Sequence, residues 1–308
     1  MCLSCNQECV GSMGLNRWIG CIENPRTGRE SEGVGSVELT TKPKSVMVVG
    51  AGPAGLQAAI AARRNGHQVT VYEKESEAGG QVCLAASVPN RAEFGDMIRN
   101  QLTECRRLGV EFEYGVGVWP GLVEEKQPDH VIIATGAEPA RPYWAPADAD
   151  NVADVRQVLD GSVEPFGEVV VFDEIGFHHA TSTAEVLADR GCKVEIITPG
   201  MVVGQDLGIT LDMENWWIRA GEKGIVQTTD LVPMGMDGRT LNLLHHPTGT
   251  NVTRTPDWVV LAVHAHPVDW LYHDLKTAGV SVERVGDCVA PRRAHAAVAE
   301  GERVGAAL

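Results

Sequence analysis

Four cysteines near the start of the chain are the residues whose type and spacing most directly suggest chemistry. They follow the pattern C-x2-C-x3-C-x11-C at Cys2, Cys5, Cys9 and Cys21. Four thiolates are the ligand set of iron–sulfur cubane clusters and also of structural zinc sites, and the spacing alone does not choose between them. Unliganded or disulfide-bonded cysteines are the plain alternative. The surrounding residues 1–42 have few apolar side chains and predict a loop-rich segment that needs something external to order it.

A glycine-rich turn is the second group that predicts chemistry. The sequence GAGPAG matches G-x-G-x-x-G, follows the apolar run Val46–Val49 and opens a predicted helix. In that context it predicts a dinucleotide site, because the helix N-terminus presents unpaired N–H groups and a partial positive charge to a phosphate. A glycine turn that serves packing alone is the alternative. The expected binding residues of the turn are Gly50, Gly52, Pro53, Ala54 and Gly55.

Glu73 ends the next predicted strand and is expected to bind the adenosine ribose. Its carboxylate can accept hydrogen bonds from the ribose hydroxyls and would repel a 2′-phosphate. The site therefore suits FAD, ADP or NAD better than NADP.

The elements that must position these residues alternate between strands and helices. A helix at 53–64 lies between strands at 46–49 and 68–72, and a second strand–helix–strand unit begins at Glu168. Such alternation predicts an α/β fold with parallel sheets and right-handed crossovers. We expect two Rossmann-like domains after the iron–sulfur segment. The predicted boundaries are 1–42 for that segment, 43–147 with 277–308 for the FAD- or ADP-binding domain, and 148–276 for the inserted second domain.

The turn of the second unit departs from the dinucleotide pattern. Its sequence FDEIGFHHA keeps only Gly176 of the three glycines. Asp173 and Glu174 place negative charge where a pyrophosphate would lie, and the bulky Phe177 and His178 would hinder a close approach to the backbone. This unit is therefore expected to bind NAD(P)H poorly or not at all.

Composition excludes several classes of protein. The formal net charge of −15 argues against a nucleic-acid partner, since phosphate binding needs a basic surface. No apolar run approaches about 18 residues, so no membrane span is expected. No signal peptide is evident, and the eight cysteines then favour metal ligands or buried small side chains over disulfides. We expect a cytoplasmic location.

The order of motifs resembles one family over nearly the whole chain. The segment CLSCNQECVGSMGLNRWIGCIENPRTGRE is followed by VMVVGAGPAGLQAA, EKESEAGGQ, IIATGAEP and GDCVAPR. This order is similar to that of the trimethylamine dehydrogenase and 2,4-dienoyl-CoA reductase family of iron–sulfur flavoproteins. The resemblance implies two dinucleotide-binding domains of the glutathione-reductase type. It also implies a [4Fe–4S] cluster on the four cysteines and FAD, or alternatively ADP, at the glycine turn.

The same resemblance suggests further cofactor contacts. Asp287, in a Gly-Asp turn, would bind the ribityl chain of a flavin, although a helix N-cap is the plainer role for it. The other expected contacts, on the pyrophosphate and flavin side, are Gly80 with its neighbour Gly79, Gln81, Gly136 and Arg292, where a surface salt bridge is the alternative for the arginine.

One part of the family pattern is missing. Members usually begin with an FMN-binding TIM barrel of the old yellow enzyme type, which this sequence lacks. The resemblance therefore implies an FMN-binding barrel on a partner chain. The first hypothesis is an electron-transfer subunit of a methylated-amine dehydrogenase or N-demethylase. It would pass single electrons through the cluster to FAD or to an electron-transfer flavoprotein.

Two other functions stay open on the sequence. An NAD(P)H-dependent enoate or dienoyl-CoA reductase subunit would move electrons in the opposite direction, from NADH through FAD and the cluster to a partner FMN. It would have to bind nicotinamide without a glycine turn in the second unit. A non-enzymatic ADP-binding scaffold with a structural cluster is the third. No side chain suggests a nucleophile or general base, so no catalytic residue is assigned.

Overall fold

The computed structural model describes residues 2–32 and 39–308. Met1 and residues 33–38, which belong to the predicted N-terminal segment, lie outside this part. The described chain forms two compact units. Unit 1 comprises Met1–Ala86, Ala92–Glu138 and His266–Leu308, and unit 2 comprises Ser87–Arg91 and Pro139–Ala265. No helix in the described ranges is long and apolar enough to cross a membrane.

The first part of unit 1 contains five helices and five strands, the last of which ends at the start of unit 2. The short helix α1 precedes the strand–helix–strand unit that carries the glycine turn. In chain order the elements are α1 Val10–Gly14, β1 Ser45–Val49, α2 Pro53–Arg64, β2 Gln68–Glu73, α3 Gln81–Ser87, α4 Gly95–Leu108, β3 Glu111–Tyr114, α5 Pro120–Lys126, β4 His130–Ile133 and β5 Ala137–Pro139.

The elements of unit 2 repeat the strand–helix alternation and add an antiparallel meander. They are β6 Val152–Asp154, α6 Val155–Asp160, β7 Glu168–Asp173, α7 His178–Asp189, β8 Lys193–Ile197, α8 Met213–Glu222, β9 Val226–Thr228, β10 Leu231–Asp237, β11 Thr240–His245, β12 Thr250–Arg254 and β13 Trp258–Ala262. The chain ends with β14 Ala265–Pro267, α9 Trp270–Thr277, β15 Val282–Arg284 and α10 Ala294–Ala306. Short 3₁₀ turns occur at Glu30–Glu32, Ala92–Phe94, Gln205–Gly208 and Gly286–Cys288.

Each unit is built on a parallel five-stranded sheet. The strand order is β15-β4-β1-β2-β3 in unit 1 and β6-β13-β7-β8-β9 in unit 2. The meander β10-β11-β12 and the pair β14-β5 complete the described sheets. The predicted α/β class with parallel sheets is thereby confirmed. In both sheets the strand that precedes the turn, β1 or β7, is central, so each turn lies at the carboxyl edge where ligands of open parallel sheets bind.

The core of unit 1 fills both faces of its sheet. Val46 and Val48 pack under helices α2, α4 and α10, whereas Met47 and Val49 face α5 and α9, as the alternation of side chains along a strand requires. Helix α10 packs closely on α2, because a Cβ on Gly301 would overlap the carbonyl oxygen of Ala54.

The N-terminal segment has more apolar contact than its composition suggests. Leu3 and Ile22 are buried in the core of unit 1, and Cys5 packs against that core. The expectation that something external must order this segment is therefore wrong for its ends, because two apolar side chains anchor it to the adjacent helices.

Two predicted element positions also differ. The helix expected at 91–108 begins at Gly95, after the 3₁₀ turn Ala92–Phe94. The segment 139–151 was expected to be a linker, but Trp144 and Ala145 pack in the core of unit 2 with Phe172. The compact units accordingly divide at 138/139 and 265/266, where the sequence prediction has 147/148 and 276/277.

Candidate functional site

The glycine turn leaves open space at one of its three glycines and none at the other two. Gly50 has φ +105°, and a Cβ there would overlap the carbonyl oxygen of Ala134. A Cβ on Gly55 would overlap the carbonyl oxygen of Gly50. By contrast, a Cβ on Gly52 would meet no atom of the described chain within 4 Å. Gly50 and Gly55 therefore serve close packing, and Gly52 borders free space.

That free space lies at the N-terminus of α2. Gly52 is the N-cap and Pro53 the first residue of this helix. Proline lacks an N–H and fits the first helical position, and the other N–H groups of the first turn have no partner within the helix. An anion placed over Gly52 would face these groups and the positive end of the helix dipole.

Glu73 is fixed beside the turn by two backbone hydrogen bonds. Its Oε2 accepts from the N–H of Ala51 at 2.7 Å, and its Oε1 accepts from the N–H of Glu75 at 3.0 Å. The side chain is buried. Each carboxylate oxygen can accept more than one hydrogen bond, so the arrangement keeps acceptor capacity for ribose hydroxyls.

Two distant segments meet at this turn. Gln81 Nε2 donates to Asp287 Oδ2 at 3.0 Å, across 206 residues of sequence. The preceding residues touch the turn as well: a Cβ on Gly80 would lie 3.6 Å from Gly52 Cα, and one on Gly286 would lie 2.7 Å from Ala54 Cβ. The structure thus brings the predicted residues Gly52, Ala54, Gly80, Gln81 and Asp287 together.

Arg292 and Gly136 have different surroundings. The backbone N–H of Arg292 donates to Asp287 Oδ1 at 3.1 Å, but its guanidinium pairs with Glu300 at 2.6 Å. The salt bridge weighed as the alternative is therefore present. Gly136 has φ +75° in the turn after β4, and its carbonyl accepts a hydrogen bond from Val268.

The N-terminal cysteines show contacts suited to thiolate ligands. The N–H of Ser4 donates to the Cys2 sulfur at 3.3 Å, and the N–H of Glu23 donates to the Cys21 sulfur at 3.4 Å. Such bonds stabilise charge on sulfur. Burial raises the pKa of the Cys5 thiol, the Gln7 backbone opposes this, and the thiolates of the other three cysteines raise the pKa further. All four cysteines therefore share one electrostatic environment.

The ligand assignment of the cysteines stays a prediction. Across residues 2–32 and 39–308, no group of three or more His, Cys, Asp or Glu side chains is arranged to hold a metal ion. A cubane cluster spaces its thiolates farther apart than a single ion does, and the sulfur hydrogen bonds fit that larger group.

A buried polar network that sequence reasoning missed ties the cysteine segment to the nucleotide domain. Glu302 on α10 is 2% exposed and accepts from Arg26 at 3.0 Å and from Gln57 on α2 at 2.7 Å. Gln101 on α4 then donates to the carbonyl oxygen of Pro53 at 3.0 Å. The only sequence signal was a charged residue on the apolar side of a helix, which predicts a buried charge with a partner.

The corresponding turn of unit 2 is filled from within. Asp173 is fully buried, and its carboxylate accepts from the N–H groups of Gly176 at 2.8 Å and Gly204 at 3.3 Å. Burial raises the pKa of Asp173 to about 6, while these hydrogen bonds oppose the shift. The acid therefore uses N–H groups that a bound phosphate would need.

His178 opens α7 beside this turn and is also engaged. Its Nε2 lies 2.7 Å from Arg91 Nη1 and 3.4 Å from Asp212 Oδ2. Burial lowers its pKa, and the Arg91 charge lowers it further. An arginine that donates to Nε2 requires a neutral imidazole, so His178 is held as a structural acceptor.

Comparison with known proteins supports an oxidoreductase. Residues 44–166 match the family model described as pyridine nucleotide-disulphide oxidoreductase. The chain is 31% identical to N,N-dimethylglycine/sarcosine dehydrogenase of Chromohalobacter salexigens, over 97% of this chain and 50% of that protein. It is 34% identical to NADH oxidase of Thermoanaerobacter brockii, over 98% of this chain and 47% of that protein.

A solved structure shows the same architecture. The 6-hydroxypseudooxynicotine amine oxidase of Pseudomonas geniculata N1 superposes with a TM-score of 0.92 at 27% identity, covering 99% of this chain and 48% of that one. The chain spans about half the length of the relatives it matches. These matches identify it as an oxidoreductase of the flavoprotein type, whose residues 44–166 carry the pyridine nucleotide-disulphide oxidoreductase domain.

Proposed function

We propose that this chain is the electron-transfer part of an iron–sulfur flavoprotein oxidoreductase that oxidises a methylated amine at an FMN on a partner polypeptide. A [4Fe–4S] cluster on the four cysteines would supply one-electron transfer, and the glycine turn would hold FAD, with ADP as the alternative. FAD or an electron-transfer flavoprotein would be the next acceptor. The observation that carries the proposal is the anchoring of the four-cysteine segment on the helices of the dinucleotide domain.

The chain's own residues would bind and orient these groups. The N–H groups of Ser4 and Glu23 would stabilise charge on the sulfurs of Cys2 and Cys21. The start of α2 would hold a pyrophosphate over Gly52, and Glu73 would accept from the ribose. Asp287, oriented by Gln81, would face the remainder of the dinucleotide.

Similarity to the dimethylglycine/sarcosine dehydrogenase supports a methylated amine as the substrate of the complex. The filled turn of unit 2 supports the same direction of electron flow. Asp173 already accepts from the backbone N–H groups there, so a nicotinamide dinucleotide would have to displace a buried carboxylate.

The similarity to an NADH oxidase favours a second candidate, an NAD(P)H-dependent reductase subunit. That function needs a nicotinamide site in this chain. Stopped-flow mixing with NADH separates the two: rapid bleaching of the bound flavin would support the reductase, whereas bleaching only by a methylated amine supports the dehydrogenase.

The decisive experiment is anaerobic purification of the native assembly with analysis of iron, acid-labile sulfide and extracted nucleotide. We expect a brown protein with a broad visible band that dithionite bleaches, and further bleaching by dimethylglycine or sarcosine. A colourless protein that contains zinc would refute the cluster. A cluster that titrates but never responds to substrate with partner would favour the ADP-binding scaffold.

Cys5→Ser tests the ligand assignment. Cys5 is the cysteine whose surroundings include the other three, so its loss should remove most of the iron and loosen residues 2–26. Cys105→Ser is the matched control, because that thiol is buried in the core of unit 1 among apolar side chains. Full iron content in Cys5→Ser would contradict the assignment.

A further inference from the structure

An exposed apolar loop lies between two of the predicted cluster ligands. Four large apolar side chains at its tip point to solvent, and Trp18 at 80% and Met13 at 65% are the most exposed. We call this set the apolar tip, and its members are Met13, Leu15, Trp18 and Ile19. Cys9 precedes it and Cys21 follows it.

The apolar tip is not a frayed end, because its base is fixed. The N–H of Gly20 donates to the carbonyl of Glu8 at 3.0 Å and closes the loop, and the N–H of Gly11 donates to Asn6 at 2.9 Å. On the inner side Ser12 donates to Glu8 Oε2 at 3.2 Å, and His295 of α10 lies 3.5 Å from the same oxygen. A rigid base therefore presents the tip.

Such a tip is unfavourable in water. Exposed apolar area costs about 25 cal/mol per Å² relative to burial, and clustered exposed apolar side chains mark interaction surfaces. Tryptophan is also enriched among the residues that dominate binding energy at interfaces. The apolar tip therefore has the composition of an interface core.

We propose that the apolar tip is the docking surface for the FMN-binding polypeptide of the complex. This inference rests on the proposed function. The relatives are about twice as long as this chain, so a portion of comparable size has to be placed against it. The tip lies between Cys9 and Cys21, so whatever covers it comes next to the predicted cluster. A second copy of this chain would bring only the same redox group there.

The test begins with the assembly purified through a tag on this chain, in which the FMN-binding polypeptide is identified by mass spectrometry and extracted FMN. The dissociation constant of that polypeptide is then measured for the unaltered chain and for Trp18→Ala. We expect the dissociation constant to rise about 30-fold or more, as for a central interface tryptophan. Iron content and thermal unfolding should stay unchanged, because Trp18 is exposed.

Trp217→Ala is the matched control. Trp217 is also a half-exposed tryptophan, but it lies on α8 of unit 2. Its removal should change the dissociation constant less than about twofold, as expected for a side chain outside an interface. Hydrogen exchange of residues 10–20 should slow when the FMN-binding polypeptide binds.

The outcomes separate the two proposals. If the FMN-binding polypeptide binds Trp18→Ala as tightly as the unaltered chain, the docking surface is wrong and the proposed function stands. If the assembly contains no FMN, both fail. If Trp18→Ala instead abolishes self-association of this chain, the tip is a contact between copies and the inference is overturned.

Discussion

The two units open with the same strand–turn–helix arrangement, yet their turns are filled by different groups. In unit 1 the turn after β1 holds three glycines, and the space over Gly52 is open. In unit 2 the turn after β7 begins with Asp173, whose buried carboxylate accepts from Gly176 and Gly204. After β2 a carboxylate, Glu73, braces the turn, whereas Thr198 follows β8.

This difference shows that the parallel sheet positions a ligand site without determining whether it binds. Backbone N–H groups at the carboxyl edge of a sheet need an acceptor when water is excluded. Unit 1 leaves that acceptor to come from a ligand, and unit 2 supplies it from its own chain. Three substitutions would break or sharpen the comparison.

The largest effect is expected from Gly55→Val. A Cβ at this position overlaps the carbonyl oxygen of Gly50, so the helix must move away from the turn. We expect a loss of about 3 kcal/mol or more in unfolding free energy, together with loss of adenine nucleotide binding. Urea denaturation and equilibrium dialysis with ADP measure the two effects.

Gly52→Ala is the control within the same turn. Its Cβ meets no described atom within 4 Å, so stability should change little while ADP affinity falls, because the methyl group occupies the space of the phosphate. If both variants kept full ADP affinity, the turn would serve packing alone.

An intermediate effect is expected from Glu73→Ala. Hydrogen bonds to charged groups contribute about 1.5–3 kcal/mol, so the affinity for ADP should fall roughly 10- to 100-fold. Isothermal titration calorimetry would show this. Thr198→Ala, at the corresponding place in unit 2, should leave ADP affinity unchanged. An equal loss in both variants would mean that the ribose is not held by Glu73.

The smallest effect concerns Asp173. Its pKa rises to about 6 in the folded protein from an ordinary value near 3.8, so the folded state binds the proton more tightly. Its stability contribution is therefore fully present below about pH 4 and is lost as the pH rises through 6, by up to about 3 kcal/mol.

Asp173→Asn should remove this part of the pH dependence, since the amide does not ionise. Urea unfolding at pH 4, 5, 6 and 7 should therefore give a shallower decline with rising pH for Asp173→Asn than for the unaltered chain. Identical slopes would show that Asp173 keeps its ordinary pKa in the fold.

Much of the local structure could be predicted from the sequence where the pattern is strong. Helix α2 spans Pro53–Arg64 as expected, because proline fits its first position and Asn65-Gly66 ends it. Helix α8 also has its predicted bounds, Met213–Glu222. The weaker predictions were those without a periodic pattern, such as the segment 139–151, where Trp144 enters the core of unit 2.

The sequence by itself determined the residue types and spacings: the four cysteines, the glycine turn, Glu73 at the end of β2 and the missing glycines of unit 2. Those are local properties that follow from backbone freedom and ligand chemistry. The tertiary structure decided which distant side chains meet. Gln81 reaches Asp287 across 206 residues, and Arg26 reaches Glu302 across 276. No local pattern encodes these pairs, because a buried polar group takes its partner from whatever element the fold brings beside it.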